Sequence, residues 1–112
     1  MFKKYRSFTL DQGVKTPSLA VVCHAGYIMV LLHDTLVFSA KEGKNRKWIA
    51  TLNNGGYDTV STRLVINQAL KCLWNLDCYD LRRIKGNTYV VYTNAVTGDT
   101  SKELFTNESK WS

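Results

Sequence analysis

Proline occurs once in this chain of 112 residues, at Pro17, and histidine twice, at His24 and His33. Cysteine is scarce too, with Cys23, Cys72 and Cys78. An odd count without CxxC spacing is neither a disulfide framework nor a zinc signature, and reads as reduced thiols in a cytosol. The longest apolar stretch, Ser18 to Leu32, is broken by His24 and Gly26 and falls short of the ~20 residues that cross a bilayer. Lys3, Lys4 and Arg6 lead into no signal-peptide core, because Asp11, Gln12 and Lys15 interrupt it. No GK[ST] follows Asn53-Asn54-Gly55-Gly56, so that turn is not a phosphate loop. Helix-turn-helix, RNP and zinc-finger patterns are absent, as are internal repeats. The expected setting is soluble and intracellular, without a membrane.

What is present is an ordinary globular composition: 45% apolar, 12% aromatic and 21% charged residues. Those values argue against disorder, and the length suits one domain with a core that needs no metal or disulfide. Fifteen Lys and Arg against nine Asp and Glu give a net charge of +6, which favours an acidic partner.

Hydropathy and turn residues divide the chain. Residues 1–17 read as an N-terminal arm with a short strand over Tyr5–Leu10. Two β-branched-rich runs, Leu19–Cys23 and Tyr27–His33, flank Ala25-Gly26 and read as strands. Asp34-Thr35 reverses the chain into Leu36–Ala40. Lys41 to Lys47 is a polar loop, Trp48–Leu52 a strand, and Asn53 to Gly56 the strongest turn signal. A helix is predicted over Thr62–Asn75, capped by Thr59 or Ser61. Val65, Ile66, Ala69, Leu70, Cys72, Leu73 and Trp74 fall on one side of it at 100° per residue, with Leu64 out of pattern. Tyr79–Lys85 and Thr88–Thr93 then form a hairpin around Gly86-Asn87. From Asn94 the chain is a polar tail in which Leu104, Phe105 and Trp111 could dock, with room for an edge strand. The expectation is an α+β fold: residues 18–93 form one domain, a small, mostly antiparallel β-sheet covered by one amphipathic helix, between the arm 1–17 and the tail 94–112.

Several segments carry a resemblance. Leu32-His33-Asp34-Thr35-Leu36-Val37 is followed by Leu52-Asn53-Asn54-Gly55-Gly56-Tyr57-Asp58-Thr59, then Ser61-Thr62-Arg63 and Ile66-Asn67-Gln68. This is similar to a group of small bacteriophage accessory proteins with an LHxT segment, an LNxGGxxTxTT segment ending in a basic residue, and an Asn within the following helix. The likeness runs from Tyr27 to Tyr92. Ser61 stands where the group has Thr, which keeps a hydroxyl, and Val65 stands where it often has a second basic residue. The resemblance implies a phage protein made in the host bacterial cytoplasm. The group has no general activity to carry over, so no catalytic residue transfers. Turn formation and helix capping account for most of the shared residues.

Catalytic chemistry has few candidates. Cys23 and His33 could form a nucleophile–base pair with Asp34 or Asp58 orienting the ring, although Cys23 lies in an apolar run and His33 before a turn. Asp77, Asp80 and Asp99 are scattered, and no metal or cofactor is expected. Basic charge is more informative. Residues 1–50 hold eight Lys or Arg and three acids, residues 51–93 five and three, and residues 94–112 two and three. Two clusters are candidate binding elements for a partner or for nucleic acid: Lys41, Lys44, Arg46 and Lys47 beside Trp48, and Arg82, Arg83 and Lys85 near Tyr89 and Tyr92. A solvated loop and core aromatics are the plainer account of the same residues.

Three readings follow. With the phage resemblance, the chain is expected to inhibit a host enzyme or defence nucleoprotein stoichiometrically, in the manner of an anti-CRISPR protein. A small basic protein that binds DNA or RNA directly is the alternative. An enzyme built on Cys23 and His33 ranks last.

Overall fold

The computed structural model describes residues 8, 10, 14–15, 18–53, 59–105 and 108–111. In chain order its elements are β1 (Val14–Lys15), β2 (Leu19–His24), β3 (Tyr27–Leu32), β4 (Thr35–Glu42), β5 (Trp48–Asn53), α1 (Val60–Lys71), β6 (Tyr79–Ile84), β7 (Asn87–Thr93), β8 (Thr100–Leu104) and β9 (Glu108–Trp111). Three two-residue reversals set the hairpins. Ala25-Gly26, His33-Asp34 and Lys85-Gly86 each combine two positive φ angles, 39° and 78°, 50° and 64°, 51° and 85°. That is the type I′ geometry, whose twist matches paired strands. Two reversals lie one residue earlier than the sequence suggests. Thr35, β-branched and ill-suited to positive φ, pairs with Leu32 instead, and Asn87 joins the ladder opposite Ile84.

The strands form two antiparallel sheets. One runs β1-β2-β3-β4-β5-β9 and the other β6-β7-β8. The α+β class expected from the sequence is therefore observed, with the strands divided where a single sheet was predicted. Asn67 on α1 accounts for part of that division. Its side-chain amide donates to the Leu81 carbonyl at 3.1 Å, and its side-chain oxygen accepts from the Leu81 N–H at 2.6 Å. At that point the edge of β6 bonds to the helix and not to a strand of the first sheet.

Helix α1 packs against β6 as well as β3 and β4. Thr59 caps it, its hydroxyl accepting from the Thr62 N–H at 3.2 Å. Val65, Ile66, Ala69 and Leu70 are fully buried against the inward side chains of both sheets, among them Val30, Phe38, Leu52, Leu81 and Val90. A bulge between Val30 and Leu31 leaves Val37 as an extra residue in β4, so Val37 and Phe38 both turn inward.

The helix is shorter than predicted at its C-terminal end. After Lys71 the chain turns repeatedly, with hydrogen bonds from Cys72 to Ala69, Leu73 to Leu70, Leu76 to Leu73 and Tyr79 to Leu76. Leu73 and Leu76 stay buried, but Trp74 is 60% exposed. The expected places of Cys72 and Trp74 on the apolar helix face are corrected: the helix ends at Lys71, and both residues are exposed in the turns that follow.

Both flanks contribute to the fold. Phe8 and Leu10 are buried in the core, and β1 pairs with β2; the rest of the predicted strand Tyr5–Leu10 lies outside the described residues. The stretch from Asn94 supplies β8 to one sheet and β9 to the other, and Phe105 between them is buried with its N–H on the Thr88 carbonyl. No described helix is long and apolar enough to cross a membrane.

Candidate functional site

The basic loop is a compact five-residue link. Gly43 donates to the Lys47 carbonyl at 2.7 Å and Lys47 to the Lys44 carbonyl at 3.2 Å. Between them Lys44–Arg46 make a 3₁₀ turn, with Asn45 at φ 59° and Arg46 at φ 60°. Lys44, Arg46 and Lys47 are exposed on it, and Lys41 is exposed near the end of β4. Among the described residues no carboxylate pairs with any of these four.

Two side chains from the turn after α1 fasten this link. Asn75 accepts from the Trp48 N–H at 3.0 Å and donates to the Trp48 carbonyl at 2.9 Å. Trp74 donates its indole N–H to the Arg46 carbonyl at 3.2 Å. Trp48, the aromatic residue next to these cations in the sequence, is half-buried and packs against the core. The aromatic ring exposed beside the link is Trp74. The sequence missed it because residue 74 follows residue 46 by 28 positions, and helical periodicity assigned it inward.

The second cluster is differently engaged. Arg82 forms an ion pair with Asp80 at 2.9 Å. Arg83 is exposed on β6, and Lys85 is exposed in the β6–β7 turn. The neighbouring aromatics already have partners. Tyr92 packs on Tyr79, with ring centroids 5.2 Å apart at 53°, and the Lys102 ammonium lies 4.8 Å from the centre of the Tyr89 ring. Arg82, Arg83 and Lys85 thus belong to the second sheet, while Lys41, Lys44, Arg46 and Lys47 belong to the first.

The cysteine–histidine pair does not assemble. His33 lies beside Ser18, whose carbonyl accepts its N–H at 2.8 Å, whereas Cys23 pairs with Ile28 near the other end of β2. Five residues of extended strand separate those ends by about 16 Å. Cys23 donates instead to the Leu10 carbonyl. Cys72 donates to the Gln68 carbonyl at 3.2 Å, and the Gln68 amide reaches the Phe8 carbonyl at 2.8 Å, so these contacts hold the N-terminal segment. Burial pushes the Cys78 thiol above its usual 9.0, opposed by a backbone hydrogen bond and reinforced by the Asp77 carboxylate. Burial, with the neighbouring Cys78 and Tyr92, likewise raises Tyr79. Both shifts favour the neutral form, which makes a poor nucleophile of the thiol. Asp58 lies outside the described residues. Among the described residues no three His, Cys, Asp or Glu side chains are grouped to hold a metal ion.

Residues of the phage-like segments converge around a cavity of about 400 Å³ at the start of α1, lined by Leu32, His33, Thr35, Thr59, Ser61 and Thr62. The Thr59 and Thr62 hydroxyls lie 2.9 Å apart and complete the helix cap. Those two residues have an architectural role there.

The outer face of the first sheet is a feature that the sequence analysis did not isolate. Cross-strand pairing sets three rows on it: Lys15, Ala20, Leu31 and Leu36; Val22, Met29, Ser39, Thr51 and Lys110; and His24, Tyr27, Lys41 and Ile49. Val22, Tyr27, Leu36 and Ile49 are each 41–43% exposed. The signal was present in Tyr27–Leu32, a strand with no charged or amide side chain on either face, as in strands covered on both sides. No protein-family model matches this chain, and no curated protein or solved structure is significantly similar to it.

Proposed function

We propose that this chain is a bacteriophage accessory protein that acts by binding, inhibiting a host enzyme or defence nucleoprotein in the host bacterial cytoplasm, in the manner of an anti-CRISPR protein. The phage assignment rests on the resemblance of residues 27–92. The binding mode rests on one observation: an exposed Trp74 held against a link whose Lys44, Arg46 and Lys47 have no acidic partner among the described residues. An aromatic anchor beside a basic link suits an acidic protein surface, where aromatic and arginine contacts carry most of the affinity.

The same observation favours a second reading, direct binding of DNA or RNA, since an exposed ring beside cations can stack on a base while lysines meet phosphate. The two readings separate by pull-down from host lysate with and without nuclease, followed by binding to the purified partner and to free nucleic acid. Trp74→Ala should weaken the relevant complex about 30-fold, as removal of an interface aromatic costs roughly 2 kcal/mol. Reversing Lys44, Arg46 and Lys47 to Glu should abolish it while the fold is kept. A nuclease-resistant complex that loses affinity in both variants supports the inhibitor. Binding to free nucleic acid that falls steeply with salt supports the alternative. Parent-like binding by both variants removes this surface from either reading.

A further inference from the structure

At the end of the first sheet beside the basic link, the outer row reads His24, Tyr27, Lys41 and Ile49 across β2 to β5. Tyr27 is 43% exposed, with His24 opposite it on one neighbouring strand and Lys41 on the other. The link adjoins this row. Lys47 is extended, with φ −79° and ψ 135°, so alternation sets it on the same side as Ile49. A Cβ at Gly43 would meet the Ile49 Cδ1 at 3.3 Å, so the Ile49 side chain lies against the link. Glu42 is opposite Trp48 and alternates to the other side of the sheet, and the row itself holds no carboxylate. A mostly apolar cavity of about 680 Å³ opens at the same end, lined by His24, Tyr27, Ile28, Trp48 and Leu73 among others. That volume is within the range of small-ligand sites.

We infer that this end of the sheet binds single-stranded nucleic acid, with an unpaired base stacked on Tyr27 and the adjoining phosphates on Lys41 and Lys47. The inference rests on the reading of the chain as a binder of nucleic acid or of a host nucleoprotein, and it names the element taken, an unpaired stretch of RNA or DNA. Lys41 is one strand spacing from Tyr27, about 5 Å, so its ammonium reaches the phosphate of a nucleotide on the ring. An exposed aromatic side chain on a sheet, flanked by cations, is how single strands are held without regard to sequence. The cavity beside Trp48 gives a neighbouring base an apolar place out of water. A duplex offers the lysines its phosphates, but its bases are paired inside and give the ring and the cavity nothing.

Fluorescence anisotropy of the full reduced chain with labelled oligo(dT) and oligo(U) of about 12 nucleotides, and with a duplex of matched charge, tests this at low and moderate salt. The parent should bind the single strands about tenfold or more tightly than the duplex. A preference between oligo(dT) and oligo(U) assigns the sugar. Tyr27→Ala should weaken single-strand binding about tenfold, and Tyr27→Phe, which keeps the ring, should recover most of that loss. Lys41→Gln and Lys47→Gln should each lower the slope of log affinity against log salt by about 0.7, the effect of one phosphate contact. Equal affinity for duplex and single strand overturns the inference, as does parent-like binding by Tyr27→Ala. Where Trp74→Ala weakens oligonucleotide binding and Tyr27→Ala does not, the nucleic-acid reading stands and only this site falls. A parent that binds neither oligonucleotide at low salt overturns the inference and leaves the basic link to an acidic protein surface. The parent's ratio of single-strand to duplex affinity decides the matter even where a substitution unfolds the chain.

Discussion

Single carboxamides do the work of missing backbone partners in this molecule. Asn75 supplies both a donor and an acceptor to Trp48, the first residue of β5, and Asn67 does the same for Leu81 in β6. Gln68 adds a third such contact, to the Phe8 carbonyl. Asn75→Ala leaves the Trp48 N–H and carbonyl without these bonds and should cost about 1–3 kcal/mol of stability. Thermal unfolding measures the loss, and hydrogen exchange should report faster opening over residues 44–48. A parent-like midpoint with unchanged exchange would show that water replaces the side chain without penalty. Sequence reading took residue 75 as the last residue of a helix. Nothing local says that its partner is 27 residues away.

At the level of elements, short-range chemistry was highly legible. Gly26, Asp34 and Gly86 mark three reversals because glycine and aspartate tolerate positive φ. The helix was legible from Thr59 and from the spacing of Val65, Ile66, Ala69 and Leu70. Its C-terminal end was not, since turns that bury Leu73 and Leu76 mimic a continuing apolar stripe. Two substitutions distinguish capping from packing. Thr59→Ala removes one cap and should cost about 1 kcal/mol. Leu70→Asp places an unpaired charge at a fully buried site and should abolish the cooperative transition. A folded, parent-like Leu70→Asp chain would contradict the packing of α1 between the sheets.

For the molecule as a whole, the C-terminal segment ties the architecture together. β8 covers one edge of β7, β9 covers one edge of β5, and Phe105 enters the core between them. A chain ending at Thr93 loses all three and uncovers two strand edges that invite intermolecular pairing. The expected outcome is aggregation without a cooperative transition, followed by circular dichroism and light scattering. A soluble truncated chain that unfolds cooperatively would show that residues 1–93 suffice.

The sequence by itself determined the class, the order of the hairpins, the position of the helix and the basic character of the 41–47 link. Each of these is written in φ preferences, hydroxyl caps and periodicities that act within a few residues. Tertiary structure alone decided that the strands split into two sheets and that Trp74 rather than Trp48 stands exposed beside the basic link. It also set Cys23 and His33 near opposite ends of β2, and left Val22, Tyr27, Leu36 and Ile49 half-exposed on the outer face of the first sheet. Those outcomes depend on contacts between residues 14 to 60 positions apart, such as Asn67 with Leu81, Asn75 with Trp48 and Gln68 with Phe8. An alternating or continuous apolar strand records that a face can be buried. What buries it is fixed by which distant surface arrives there.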